Sequence, residues 1–487
     1  MHRRSLLAVL VVLASVAAPA GAHQRQESVF MDDNLLLYRG PERATATLKE
    51  LKALGVDRVR VTLHWHHFAP DATKKRRPRG DLHYGPPVFD NHDHLLREAR
   101  ELGIDVLVNV SGSAPLWATG GDHANGEYKP DPVEFGRFVE MLGRRYDGRH
   151  RDENQGERRI PRIDAWSIWN EPNLGSRIQP QWERGEPKSP QIYRRLVRSS
   201  LAALERSGHG TDIVLLGETA PRGHDTKTAT ISMRPGVFLR ELFCLDQDLL
   251  PSCEFGARFD VSGFAHHPYS ITSPPDVPHP HPDDITLADR DRLTTILDAA
   301  AGLGRIPPAL PLWYTEYGYQ TLPPDPIRGV QPADHASWLV KAERITFLDE
   351  RVAALTQFQL LDDPPRRNFR RTDRRYWGTY QSGLKYVDGS RKPAYDAYRL
   401  GLDAPSRVAP GQPLRLWGFV RAAPNGASQS VQLEVRAPGA PGFVPAGDPV
   451  RVLHDRGYFE VERPPQAGEW RFVWNGMTSN AVAVTVG

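Results

Sequence analysis

The sequence predicts an α/β fold, a (β/α)8 TIM barrel with a C-terminal all-β sandwich domain, and three observations lead to this prediction. Short apolar runs alternate with helix-period segments, which is the order of buried parallel strands and crossover helices. Eight such units within about 370 residues fit a closed barrel. Near Leu402 the helix signals stop, and alternating apolar runs separated by Pro/Gly/Asn turns begin. A doubly wound open sheet is the competing arrangement, but no Gly-rich strand-to-helix turn supports it.

The first 22 residues have the pattern of a secretory signal peptide. Arg3 and Arg4 form a short basic region, an apolar run follows, and Ala20-Gly21-Ala22 fits a small-residue cleavage site. An uncleaved membrane anchor is the alternative, but Pro19 and Gly21 interrupt the run before it reaches the ~20 residues that a spanning helix needs. We therefore expect an exported mature chain that begins near residue 23.

The barrel domain is predicted to cover residues 23–403. Its strands are expected near residues 28–37, 59–63, 106–110, 165–169, 213–216, 261–265, 310–314 and 354–360. The crossover helices are expected within residues 44–54, 89–102, 132–146, 191–207, 288–303 and 333–350. Strands that read as continuous apolar runs are typical of parallel sheets, because both of their faces are covered.

Residues 404–487 are predicted to form a β-sandwich of the immunoglobulin-like or carbohydrate-binding-like kind. Alternating runs such as residues 414–420 and 470–474 carry the period of half-buried strands. Trp417, Trp470 and Trp474 would bind sugars only if they were exposed, and we interpret them as core residues of a small domain.

The charge balance excludes a function based on long-range electrostatics. Lys and Arg number 62 and Asp and Glu number 59, which leaves a net charge of +3. A nucleic-acid partner is therefore not expected. Basic residues do cluster at residues 74–79 and 366–375, and we interpret both runs as solvated loop faces.

The chain has two cysteines, Cys244 and Cys253, which are close in sequence. In an oxidising compartment such a pair closes a short loop, so a disulfide is predicted. A structural zinc site would need a second pair of ligands beside them, and the sequence supplies none at this spacing.

Two glutamates stand at positions where a barrel places its reacting groups. Glu171 follows the fourth predicted strand and Glu316 follows the seventh, and barrel active sites form at the carboxyl ends of the strands. Two carboxylates ~5 Å apart at such a mouth carry out retaining glycoside hydrolysis, one as nucleophile and the other as acid and then base. Either glutamate alone would be read equally well as an ordinary loop carboxylate.

These two segments resemble signatures of the retaining β-glycosidases of glycoside hydrolase clan A. Residues 166–173, Trp-Ser-Ile-Trp-Asn-Glu-Pro-Asn, resemble the strand-four motif, and residues 313–318, Trp-Tyr-Thr-Glu-Tyr-Gly, the strand-seven motif. The resemblance spans about residues 39–402, and the sequence pattern is most similar to that of glycoside hydrolase families 39 and 5. It implies that Glu171 is the acid/base, that Glu316 is the nucleophile and that Asn170 binds the sugar 2-hydroxyl.

Other strand ends extend the resemblance. Arg60 on the second strand resembles the arginine that keeps the nucleophile ionised in this clan, although a salt bridge at the barrel bottom is the alternative. His267 and Tyr269 resemble the His-x-Tyr element of strand six, with His266 as the rival histidine. Glu218, after strand five, is expected to support the site or to bind substrate.

Three tryptophans follow predicted strands and are expected to form stacking walls for sugar rings. They are Trp65, Trp117 and Trp377. Each is read equally well as a packing residue, since a large aromatic side chain serves either purpose.

Together these features predict a secreted retaining glycoside hydrolase that cleaves β-linked bonds in an oligo- or polysaccharide. We expect it to act as a monomer, outside the cell or associated with the cell wall, without a cofactor, a metal ion, a nucleic-acid partner or a membrane. The sequence is also compatible with two alternatives. One is a secreted carbohydrate-binding barrel without catalysis, and the other is a transglycosidase, which would use the same residues but another acceptor.

Overall fold

The computed structural model describes residues 26–487 apart from residues 81, 83, 122–124 and 157. The predicted signal peptide therefore lies outside the described residues. Within the described part of the chain, no helix combines the length and the apolar character needed to cross a membrane.

Eight parallel strands close into a barrel in chain order, which confirms the predicted fold class. The strands are β1 (Glu27–Met31), β2 (Arg58–His64), β3 (Asp105–Ser111), β4 (Ala165–Ile168), β5 (Ile213–Thr219), β6 (Gly263–His266), β7 (Leu312–Tyr317) and β8 (Val352–Phe358). The barrel closes where β1 pairs with β8, with Val29 opposite Thr356.

Helices surround the barrel and connect its strands. They are α1 (Asp33–Leu37), α2 (Pro41–Ala53), α3 (Trp65–Phe68), α4 (Asp90–Glu101), α5 (Pro132–Arg145), α6 (Ser189–Arg206), α7 (Pro235–Leu242), α8 (Arg290–Gly302), α9 (Pro332–Phe347) and α10 (Pro393–Arg399). Short 3₁₀ turns occur at Pro86–Phe89, Leu116–Ala118 and Leu287–Asp289.

The first strand is shorter than predicted. It ends at Met31, and α1 occupies the second half of the predicted strand. The reason is the side chain of Asp32, which accepts a hydrogen bond from the Leu35 amide at 3.0 Å and so caps the helix.

An apolar layer fills the lower interior of the barrel. Trp313 is its largest member, and the Arg58 guanidinium lies 5.7 Å from the Trp313 ring. Arg60 lies two residues further along β2 and therefore points to the same side of the sheet, closer to the mouth. The apolar layer closes the floor of the barrel, and a polar layer begins above it.

The C-terminal region forms two further sheets, mainly antiparallel. The strands are β9 (Leu400–Asp403), β10 (Arg407–Val408), β11 (Leu414–Val420), β12 (Gln429–Arg436), β13 (Val444–Pro445), β14 (Val450–Val452), β15 (Tyr458–Arg463), β16 (Gly468–Trp474), β17 (Met477–Thr478) and β18 (Val482–Val486). One sheet has the order β9-β11-β15, so its pairing starts ahead of residue 404. Trp417, Trp470 and Trp474 are buried, as interpreted from the sequence.

The C-terminal region packs against the side and the bottom of the barrel. Glu343 on α9 forms a buried ion pair with Arg421, at 2.7 Å. Asp57, which immediately precedes β2, pairs with Arg456 and accepts a hydrogen bond from Asn425 at 2.8 Å. Because strands begin at the bottom of a barrel, this contact leaves the opposite end, where the strands finish, to the connecting loops.

The predicted disulfide between Cys244 and Cys253 is present. It closes the segment that follows α7 and leads towards β6, and such helix-to-strand connections lie at the bottom of the barrel. The disulfide is therefore remote from the barrel mouth.

Candidate active site

Glu171 and Glu316 meet at the mouth of the barrel. Glu171 follows β4, and Glu316 lies within the last residues of β7. Ligating atoms of Glu171, His267 and Glu316 all lie within 4.8 Å of one another, so the two carboxylates face each other across the mouth. The structure thus brings together the pair that the strand-end argument predicted.

The backbone at Glu171 adopts a left-handed conformation, with φ of 45°. Residues other than glycine adopt this conformation infrequently, and they do so mainly where surrounding contacts hold them. Here the Glu171 amide donates to the carbonyl of Glu218 at 2.8 Å, and Glu218 itself has φ of 50°. The ends of β4 and β5 are therefore tied together, which fixes the direction of the Glu171 side chain.

Arg60 connects three of the site residues from below. Its guanidinium donates to Glu316 at 3.0 Å, to Glu218 at 3.0 Å and to the Asn170 side-chain oxygen at 2.9 Å. The Arg60 side chain has no exposed surface. Burial opposes its charge, but Glu218 and Glu316 outweigh this effect and raise the pKa of Arg60. Arg60 is therefore a permanent cation beneath the two carboxylates.

His267 lies between the carboxylates. Its Nε2 donates to Glu218 at 2.6 Å and its Nδ1 to Glu171 at 3.1 Å, while Glu316 lies 3.6 Å from Nδ1. Burial lowers the pKa of His267, but the charges of Glu316, Glu171 and Glu218 outweigh burial and raise that pKa to about 10. At neutral pH His267 is a buried cation in contact with three carboxylates.

The same contacts act on the carboxylates. Burial raises the pKa of Glu171, but hydrogen bonding to His267 and its positive charge lower it more, and the net shift is downward. Burial likewise opposes ionisation of Glu218, yet Arg60 and His267 lower the pKa of Glu218 to about 2. Thr315 adds a hydrogen bond to Glu218 at 2.8 Å. Glu171 and Glu218 are therefore held as carboxylates beside the cations Arg60 and His267.

Tyr269 completes the surroundings of Glu316. Its hydroxyl donates to Glu316 Oε2 at 3.1 Å, while Arg60 holds Oε1. His266, the rival of His267, faces away from the two carboxylates. It donates to the Ile285 carbonyl at 2.9 Å and accepts from the Thr219 hydroxyl at 2.8 Å. His267 is therefore the histidine that faces the barrel mouth, whereas His266 forms hydrogen bonds to the surrounding loop and strand.

The three predicted tryptophans are all buried, which corrects the expectation that they form stacking walls. Trp65 has no exposed surface and packs edge-on against Trp117, with ring centroids 6.1 Å apart. The Trp117 indole donates to the Pro70 carbonyl at 2.9 Å. Trp377 donates to the Arg371 carbonyl at 3.0 Å. They hold the loops after β2, β3 and β8 in place, and the sequence alone gave no means of separating this role from sugar stacking.

Exposed aromatic residues at the mouth come from other positions. Tyr38 follows α1 and is 49% exposed, and Tyr380 lies in the loop after β8 and is 46% exposed. Burial of its hydroxyl, with the charges of Glu171 and Glu316, raises the pKa of Tyr380 to about 12. Tyr380 lies far in sequence from any strand end. Tyr38 follows the predicted first strand at residues 28–37 but is not among the predicted site residues.

Glu171, His267 and Glu316 are also, among the described residues, a group that could hold a metal ion. His267 carries a proton on each ring nitrogen at neutral pH, and a protonated imidazole has no lone pair for a metal. A metal ion at this position would have to displace the Nδ1 proton of His267.

No protein-family model matches the sequence, and no curated protein matches it. Among solved structures, an exo-β-1,4-mannosidase from Opitutaceae bacterium strain TAV5 is similar, with 13% identity and a TM-score of 0.46 over 78% of this chain. The match covers 60% of that mannosidase, so this chain spans less than two thirds of its length.

Two other similar structures are covered more fully. A β-glucosidase from Thermotoga maritima has 13% identity and a TM-score of 0.42, over 78% of this chain and 97% of that one. A family 5 mannosidase from Rhizomucor miehei has 14% identity and a TM-score of 0.42, over 78% of this chain and 91% of that mannosidase. The fold and the site of the present chain define a (β/α)8 barrel with a pair of glutamates at its mouth.

Proposed function

We propose that this protein is a secreted retaining glycoside hydrolase that cleaves β-linked glycosidic bonds in an oligo- or polysaccharide. The observation that carries the proposal is the placement of Glu171 and Glu316 at the ends of β4 and β7, with carboxylate oxygens within 4.8 Å. Retaining enzymes separate their two carboxyl groups by about 5–5.5 Å, whereas inverting enzymes need about 6.5–9.5 Å to admit a water molecule.

In the first step Glu316 attacks the anomeric carbon and forms a glycosyl-enzyme ester, while the bond to the leaving oxygen breaks and Glu171 protonates that oxygen. In the second step Glu171 removes a proton from water, the water oxygen attacks the anomeric carbon, and Glu316 is released. Arg60 and Tyr269 hold one Glu316 oxygen each, which supports the role of Glu316 as the positioned nucleophile.

The proton for the leaving oxygen is held by the pair of Glu171 and His267. At neutral pH it rests on His267 Nδ1, because His267 has the raised pKa and Glu171 the lowered one. The distance of 3.1 Å between Nδ1 and Glu171 Oε1 allows its transfer to Glu171 and from there to the departing oxygen. In the second step the proton that Glu171 removes from water passes back to His267 Nδ1.

The test uses aryl β-glycosides and azide. For Glu316→Ala we expect a loss of at least ~10⁴-fold in kcat, and azide should then give an α-glycosyl azide, because it replaces the nucleophile. For Glu171→Ala we expect a loss of about 10²–10⁴-fold for poor leaving groups, and azide should give a β-glycosyl azide from the glycosyl-enzyme. Product configuration is read by NMR.

If Glu316→Ala gave the β-glycosyl azide and Glu171→Ala gave the α-glycosyl azide, the roles of nucleophile and acid/base would be reversed. Full activity in the Glu316→Ala variant would overturn the proposal. The natural substrate is identified with a panel of plant, fungal and bacterial polysaccharides, with the Glu316→Ala variant as the inactive control. The product sizes distinguish cleavage within a chain from cleavage at its end.

A further inference from the structure

One side of the barrel rim carries an excess of exposed positive charge. We define the arginine arc as the exposed arginines of the loops that follow β8, β1 and β2, which are neighbours in the barrel. The loop after β8 contributes Arg366, Arg367, Arg370, Arg371, Arg374 and Arg375, the loop after α1 contributes Arg39, and the loop after α3 contributes Arg76 and Arg79. Because these strands are adjacent, their loops leave the barrel at neighbouring positions of the rim.

The loop after β8 reaches Glu316 through a chain of aromatic contacts. The Tyr380 ring packs edge-on against Phe358, with centroids 5.2 Å apart, and Phe358 lies 6.3 Å from the ring of Tyr269. Tyr269 in turn donates to Glu316. Trp377 secures the arginine-bearing part of the loop through its bond to the Arg371 carbonyl. The arc therefore stands beside the mouth and is held in a defined shape.

Within the residues that the structure describes, most of this positive charge has no carboxylate partner. Residues 364–375 contain one acidic residue, Asp373, and it forms an ion pair with Arg375 at 2.6 Å. Among the described residues, no carboxylate lies within ion-pair distance of Arg366, Arg367, Arg370 or Arg374.

The loop after β6 shows that this excess is a local feature of the rim. Its acidic residues are each paired with a cation nearby. The pairs are Asp276 with Lys341, Asp283 with Arg240, Asp284 with Arg234 and Asp289 with Arg292. Charge is compensated there, whereas the arginine arc leaves its cations available to a ligand.

We infer that the arginine arc binds the carboxylates of an acidic glycan, so that the substrate of the proposed hydrolase is a polysaccharide containing uronic acid residues. This inference rests on the proposed function, since it assigns a substrate class to the same mouth. Guanidinium groups form paired hydrogen bonds with carboxylates, and a neutral sugar chain would leave the repulsion among these arginines unrelieved. The arginines of residues 366–375 are exposed, as interpreted from the sequence, and in this proposal the same exposed groups contact the glycan.

The test measures binding to a matched pair of polymers. The full chain with Glu316→Ala, which prevents turnover, is titrated with a soluble β-glucan and with the same glucan after oxidation of its C6 hydroxymethyl groups to carboxylates. We expect the oxidised polymer to bind at least about tenfold more tightly in 50 mM NaCl, and this preference to fall in 300 mM NaCl as screening increases.

Two further variants locate the binding site. R366Q/R367Q/R370Q should lose the preference for the oxidised polymer by about tenfold or more. R407Q/R415Q/R451Q removes the same charge from exposed arginines of the C-terminal sheets, and it should keep the preference within about twofold. Equal losses in both variants would mean a net-charge effect and would overturn the inference. A wild-type preference of less than twofold would do the same.

A third arm separates glycans from other anions. Poly-L-glutamate is titrated as a carboxylate polymer without sugar rings, and binding as tight as that of the oxidised glucan would overturn a glycan-specific site. The catalytic proposal is judged separately by the azide products. If those fail while the polymer preference persists, the protein is a binding protein for acidic glycans and the hydrolase assignment is wrong.

Discussion

Glu218 is a buried carboxylate that sets the charge of the residues around it. It accepts hydrogen bonds from Arg60, His267 and Thr315 and has no exposed surface. Buried charges are tolerated when each has partners. Here Arg60 and His267 bind Glu218 and also contact the two glutamates of the proposed catalytic pair. We therefore propose that Glu218 is a positioning residue, which acts through His267 and Arg60.

Glu218→Gln should lower kcat by about 10–100-fold with a smaller change in KM, because the amide cannot hold two cations in place. The pKa of His267 should also fall, which NMR titration of the imidazole measures and a purely structural defect would not produce. Asp362→Asn is the matched control, since it removes another buried carboxylate. Asp362 forms an ion pair of 2.7 Å with Lys392, and this pair does not contact the two proposed catalytic glutamates. An unchanged kcat in Glu218→Gln would contradict the positioning role.

The raised pKa of His267 also predicts a dependence of stability on pH. The pKa is 6.5 in the unfolded chain and about 10 in the folded protein, so the folded state binds the proton more tightly. The resulting stabilisation is fully present below pH 6.5 and is lost as the pH rises through about 10. Between pH 7 and 10, chemical denaturation should show a steeper loss of unfolding free energy in the wild type than in His267→Gln. If the unfolding free energies of the wild type and of His267→Gln changed in parallel with pH, the prediction would be contradicted.

At the scale of elements, the sequence was most informative where a strand is buried on both faces. The runs at residues 59–63 and 106–110 lie within β2 and β3, because short runs rich in apolar and β-branched residues are typical of strands covered on both faces. It was least informative where one side chain decides the local structure. The Asp32 cap ends β1 and starts α1, and no periodicity in residues 28–37 reveals that hydrogen bond.

The disulfide gives a prediction for one element. Replacing both cysteines, in C244S/C253S, should lower the unfolding free energy by about 2.5 kcal/mol, because a loop of about ten residues then gains conformational freedom in the unfolded chain. Turnover of an aryl glycoside should be unchanged, since the disulfide lies at the bottom of the barrel. Calorimetry and a rate assay check both expectations, and a large loss of kcat in a folded variant would contradict the separation.

At the scale of the whole molecule, the barrel order was sufficient to bring Glu171, Glu316, Arg60, His267 and Tyr269 together. The carboxyl ends of parallel strands always converge on one mouth, so residue positions along the strands predict their meeting. The surfaces beyond the strand ends depend on how long loops fold on one another. This is why Trp377 was expected at a sugar site although it secures a loop, and why Tyr380 was missed.

One of the contacts between the barrel and the C-terminal sheets is a buried ion pair. The side chains of Arg421 and Glu343 are 6% and 7% exposed, and the Arg421 guanidinium also lies 4.2 Å from the centre of the Tyr398 ring. Tyr458 donates a further hydrogen bond to Glu343. Removing one member of such a pair leaves the other charge buried without its partner.

Arg421→Ala should therefore lower the unfolding free energy by about 3–5 kcal/mol, whereas the double variant R421M/E343L should cost less, because no unpaired charge remains. Arg415→Ala is the surface control. Arg415 pairs with Glu462 at 2.9 Å, but both side chains are more than half exposed, so the expected loss is about 0.5 kcal/mol or less. Denaturant unfolding of the full chain measures all three variants. If Arg421→Ala were no more destabilising than Arg415→Ala, the buried pair would not be what holds the C-terminal sheets to the barrel.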